Sequence, residues 1–81
     1  MVQDWIIGWF EKKAKMNKES VEQSLNQGYL EAGFIDSMDF IELIGDVEEH
    51  FGIQFNDEDF ADESILTISG LINRIESECE K

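Results

Sequence analysis

Residues 36–52 read DSMDFIELIGDVEEHFG, a serine set between carboxylates at the head of an apolar and acidic run. The chemistry on offer is one hydroxyl at the start of a helix. Asp36 is a good N-cap, and Asp39, three residues on, completes the pattern of a reciprocal capping box. That puts Ser37 in the first turn, near backbone N–H groups without intrahelical partners and at the positive end of the helix dipole. Such a position suits an attached phosphate. A serine merely tolerated in a first turn is the alternative that local chemistry leaves open.

Self-contained catalysis is a poor fit. The only histidine is His50, thirteen residues further along the same expected helix. At about 1.5 Å rise per residue the two stand roughly 20 Å apart. Ser37 therefore has no imidazole within the reach that nucleophilic catalysis needs. His50 is expected at the surface near the end of its helix. Neither DSMD nor NDEDFADE matches the spacing of a calcium loop, and no Cys/His cluster suits zinc. A single cysteine, Cys79, cannot make an internal disulfide. A serine without a catalytic partner is better read as a modified residue than as a catalyst.

Charge narrows what could act on it. Nineteen acidic residues against six basic ones give a formal net charge of −13 over 81 residues. Between Lys18 and Arg74 there is no lysine or arginine at all. That field repels nucleic-acid backbones and anionic membrane surfaces, and attracts basic protein surfaces. No segment is apolar enough to span a bilayer, so no direct membrane insertion is expected. The opening MVQDWIIGWFEKK lacks a secretory pattern. A cytoplasmic, monomeric protein follows as the expectation.

The elements that must position Ser37 are helical. Val2, Ile6, Trp9, Phe10 and Lys13 share helical spacing, with Trp5 beside them, and predict a helix over residues 3–15. Residues 17–35 read as a long structured loop pinned by Tyr29, Leu30, Phe34 and Ile35, with one short helical turn near Val21 and Leu25. Phe40, Leu43, Ile44, Val47 and Phe51 define one face of the clearest helix, which Gly52 stops. Asp57–Phe60 reads as a short helical turn. A last helix starts near Thr67 with Ile68, Leu71, Ile72 and Ile75 inward and Arg74 favourable for its dipole. The fold class is all-α, in a single domain over residues 1–81.

At Asp36-Ser37-Met38 and the following DFIELIGDVEEHFG, the chain resembles the acyl and peptidyl carrier proteins. The resemblance extends along essentially the whole chain. It implies an acyl-carrier-like four-helix bundle, with three main helices, one short helix and a long loop between the first two. It also implies that Ser37 bears 4'-phosphopantetheine, donated from coenzyme A by a phosphopantetheinyl transferase, with Asp36 capping the helix and helping that enzyme recognise the site. Met38 and Ile41 match apolar positions that touch partners, and Asp39, Glu42, Glu48 and Glu49 match acidic positions that meet basic docking surfaces. The carrier performs no catalysis itself. It holds an acyl or aminoacyl thioester and presents it to a loading ligase and to acyltransferase or synthase enzymes.

Within that family, YLEAGFIDSM is similar to the matching region of D-alanyl carriers and of stand-alone carriers for specialised biosynthesis. Phe40 stands where a small threonine is common; on the core stripe its ring either fills space, which favours a short acyl or amino-acid cargo, or lines an enlarged pocket. Gly45 replaces a larger apolar residue on the recognition side. A housekeeping fatty-acid carrier, or an acidic helical adaptor with the fold but no cofactor, are the alternatives.

Overall fold

The computed structural model describes residues 2–60 and 63–79, with Asp57 described by its backbone alone. Five α-helices and a 3-10 helix follow in order: α1 Val2–Lys13, α2 Lys18–Gln23, α3 Ser37–Phe51, α4 Asp57–Phe60, the 3-10 helix Glu63–Leu66, and α5 Ile68–Cys79. No sheet forms among the described residues; extended pairing is limited to one isolated antiparallel bridge, Gly28 with Thr67. No helix among them is long and apolar enough to cross a membrane.

Each main helix buries the stripe its spacing implies. Ile6 and Phe10 of α1, Leu43 and Val47 of α3, and Ile68, Leu71 and Ile75 of α5 are buried in one core. Burying side chains of this size stabilises the fold by about 1.5–3 kcal/mol each. Two details of α1 differ from expectation. It ends at Lys13, and Lys15 adopts φ 54°, a left-handed conformation that cannot continue a helix. Lys13 also points out of the core, where its ammonium pairs with Glu42 of α3 at 2.7 Å.

The helix count is corrected as well. The short helical turn expected near Val21 and Leu25 is a helix that begins earlier and stops before Leu25: α2, capped by Asn17, whose side chain accepts the Ser20 N–H at 2.7 Å, and anchored by buried Val21. The 3-10 helix stands where no element was expected. After α2 the chain is a loop, as expected, held by Tyr29 N–H to the Leu66 carbonyl at 3.1 Å and by Ser69 N–H to the Leu25 carbonyl at 2.9 Å. Buried Tyr29 donates its hydroxyl to the Ile65 carbonyl.

Gly52 and Gly70 are each demanded by the backbone, for different reasons. Gly52 ends α3 in the left-handed region at φ 69°, and its N–H donates to the Glu48 carbonyl at 2.9 Å. Gly70 lets the 3-10 helix pass close to α5: a Cβ there would lie 1.6 Å from the Ser64 carbonyl oxygen. Arg74 has a different role from the one its position in the sequence implied. It is not in the last turn of α5 but pairs with nearly buried Asp59 of α4 and with Glu78 at 3.2 Å, its guanidinium 5.8 Å from the Phe55 ring. It binds α4 to α5. Ala61 and Asp62, part of the acidic run weighed as a metal ligand set, lie outside the described residues, as do Met1, Glu80 and Lys81.

Candidate functional site

The start of α3 is built by its own first turn. Asp36 is the N-cap; its Oδ1 accepts the Asp39 N–H at 2.8 Å, and Asp39 Oδ2 accepts the Asp36 N–H at 3.3 Å. This is the capping box read from the spacing. Each carboxylate satisfies a donor that the helix cannot, and together they fix the geometry of the turn. Ser37 follows as the first helical residue and is exposed. Its hydroxyl is open to solvent at the N-terminal end of a helix of 15 residues.

α1 flanks α3 in an antiparallel register stitched by side chains. Lys13 meets Glu42, the Trp9 indole N–H donates to Asp46 Oδ2 at 2.9 Å, and Trp5 stacks on His50 with ring centroids 4.9 Å apart. The C-terminal end of α1 therefore lies toward the Ser37 end of α3, and Trp5 lies toward the other. His50 sits in the last turn of α3, exposed. With Ser37 at the opposite end of the same continuous helix, the roughly 20 Å of axial separation stands. The serine has no histidine beside it.

The other residues singled out in the sequence lie along α3 but differ in their engagement. Met38 and Ile41 are 79% and 71% exposed, leaving two large apolar side chains in water beside Ser37. Asp39 belongs to the cap. Glu42 is paired with Lys13, and Glu48 accepts the Phe55 N–H at 2.8 Å, closing the turn after α3. Glu49 is exposed. Two of the four acidic positions thus have structural duties that spacing did not signal, because both partners come from other segments. Phe40 is half-buried, its ring 6.0 Å from Tyr29 of the loop and 6.1 Å from exposed Phe60 of α4.

An exposed hydroxyl at a helix N-terminus can take a phosphodiester without displacing any packed atom, and the local dipole favours the added negative charge. The residues present fit phosphopantetheine attachment.

Comparison with known proteins agrees. The family described as phosphopantetheine attachment site matches residues 4–75. An "Acyl carrier protein homolog" of Mycoplasmopsis pulmonis (strain UAB CTIP) is 35% identical over 75 residues, which cover 93% of this chain and 92% of the relative. No solved structure gives a significant match. Joined to the all-helical fold and the capped serine, these matches place the chain in the phosphopantetheine-binding, acyl-carrier-like family, as a carrier domain without catalytic activity of its own.

Proposed function

We propose that Ser37 is the attachment residue and that the chain carries a short acyl or aminoacyl group between enzymes. The observation that carries this reading is the exposed Ser37 hydroxyl held at the head of α3 by the Asp36–Asp39 capping box. Once attached, 4'-phosphopantetheine supplies a terminal thiol on which cargo is held as a thioester. The chain's own residues do the rest. Asp36 and Asp39 fix the turn that presents the hydroxyl to a phosphopantetheinyl transferase. Met38 and Ile41 offer apolar contact, and Glu49, with the partly engaged Asp39, Glu42 and Glu48, supplies the negative field that steers a loading ligase and acyl-transferring enzymes toward α3.

The preference for short cargo rests on Phe40. Its ring packs near Tyr29 and Phe60, and we take that aromatic packing to leave little room beside α3 for a long apolar chain. Cargo of the D-alanyl or specialised biosynthetic kind needs no such space. The relative's name favours a second reading, an acyl carrier of the general type.

Intact mass tests the proposal directly. Incubation with coenzyme A and a broad-specificity phosphopantetheinyl transferase is expected to add one phosphopantetheine, and Ser37→Ala to abolish the gain. No gain with several competent transferases would refute it. Thermal melts of the protein loaded with short and long acyl groups then separate the two cargo readings. Stabilisation that grows with chain length would favour the general acyl carrier.

A further inference from the structure

Helix α1 keeps one face toward solvent, away from the attachment site. Asp4, Trp5, Gly8, Trp9 and Lys12 line an open hollow there, of about 310 Å³. Asp4 and Lys12 are exposed, and Trp5 and Gly8 are half-buried. Asp4, Gly8 and Lys12 follow at intervals of four, so they stand in one row along the helix, with Trp5 and Trp9 in the row beside them. A Cβ at Gly8 would meet nothing within 4 Å, so no packing inside this chain requires glycine there. In a helix interior it destabilises by about 0.5–1 kcal/mol relative to alanine.

The row has a symmetry of its own. An acid stands four residues before Gly8 and a base four residues after it, about 6 Å to either side along the axis. Turned end for end, the row presents the opposite charge at each place. A surface that complements its own two-fold rotated copy is what an isologous interface requires. Two α1 helices laid antiparallel, with Gly8 at the crossing, set Asp4 of each against Lys12 of the other. The missing side chain lets the two axes approach at the short end of the roughly 8–10 Å range of packed helices. A formal net charge of −13 opposes self-association, and does so least here. Residues 2–18 hold two acids, Asp4 and Glu11, against four lysines, Lys12, Lys13, Lys15 and Lys18.

We propose that α1 is a self-docking surface that pairs two copies of this chain antiparallel about Gly8. Asp4 of each copy pairs with Lys12 of the other, and the tryptophans bordering the two hollows meet across the seam. One helix of 12 residues, about 18 Å long, is too small to bury the area of a lasting dimer, so the association is weak and reversible. The C-terminal end of α1 lies toward Ser37, so the pair sends its two Ser37 ends in opposite directions. The contact does not depend on any modification of Ser37.

Sedimentation equilibrium over roughly 10 µM to 1 mM protein tests this, in about 0.15 M salt to screen the net repulsion. The weight-average mass is expected to climb with concentration from that of one chain toward that of two. Asp4→Lys and Lys12→Asp should each weaken the dimer about tenfold, because symmetry doubles every change. The chain carrying both should regain parental association, since its row is reversed and still complements itself. Gly8→Gln should weaken association about tenfold or more by crowding the crossing, with a melting temperature equal to or above the parent's. A chain that stays monomeric throughout would overturn the proposal. So would a dimer that neither single reversal nor Gly8→Gln weakens, or a double reversal as weak as the single ones.

Discussion

Asp36 and Asp39 bind each other's backbone across the first turn of α3, at 2.8 Å in one direction and 3.3 Å in the other. The serine between them is therefore fixed locally, by its two acidic neighbours, and not by the core. Asp36→Ala should lower stability by about 1 kcal/mol, the usual effect of losing an N-cap. Asp36→Asn keeps a cap of similar quality and removes the charge. Denaturant midpoints should thus fall for alanine and hold for asparagine. If a transferase reads the charge of Asp36 and not just its cap, Asp36→Asn will slow modification of Ser37 without moving the midpoint.

Tyr29 gives a pH dependence of known sign. It is fully buried, its hydroxyl donating to the Ile65 carbonyl, and burial pushes its phenol well above the usual value near 10. The unfolded chain loses this proton from about pH 10 upward, whereas the folded chain retains it. Fewer protons are then bound to the unfolded state, so stability falls as pH rises above 10. Tyr29→Phe should flatten that alkaline loss in melts taken across roughly pH 8–11. At neutral pH it should cost about 1–2 kcal/mol for the missing hydrogen bond.

Arg74 joins two elements that share little else. Replacing it with methionine keeps the apolar stem over Phe55 but removes the cation from beside nearly buried Asp59. The expected loss is about 2–3 kcal/mol, below the value for fully buried pairs because the guanidinium is partly exposed. For a domain of this size that lowers the melting temperature by roughly 10–20 °C. Asp59→Asn in the same chain should lose less than the sum of the two single changes, as a double-mutant cycle would measure.

Two glycines in helices should respond oppositely to alanine. A Cβ at Gly45 meets nothing within 4 Å, so Gly45→Ala should raise stability by about 0.5–1 kcal/mol. At Gly70 the same atom would strike the Ser64 backbone, and Gly70→Ala should cost about 3 kcal/mol or more as the 3-10 helix is displaced. Chemical denaturation of the two variants checks both signs.

The sequence was most readable where one segment contains its own instructions. For α3, the spacing of Leu43, Ile44 and Val47, the Asp36 cap and the Gly52 stop all lie within one contiguous stretch, and the helix spans the expected residues. For α2, one buried valine in six residues allowed a helical turn to be read near Val21 but not its bounds; the signal for its start was Asn17, three residues before Ser20. The 3-10 helix buries only Ile65 and depends on the close approach allowed by Gly70, a contact between segments that periodicity does not encode. The same limit explains Lys13, Arg74 and Glu48, whose partners Glu42, Asp59 and Phe55 are known only once the chain is folded. At the candidate site, Ser37 and its cap were legible; the Trp5–His50 stack at the other end of α3 was not, because its two rings lie 45 residues apart in sequence.

The Lys13–Glu42 rung has a consequence for how the whole molecule turns in an electric field. Four of the six basic residues, Lys12, Lys13, Lys15 and Lys18, fall in a stretch without any acid, and the rung places that stretch at the Ser37 end of α3. That basic cluster and the positive end of the α3 macrodipole therefore lie at the same end of the helix. A protein with these two contributions aligned feels a torque as well as an attraction when a charged surface approaches. Rotation before contact, and not affinity after it, is where so lopsided a charge has its largest effect.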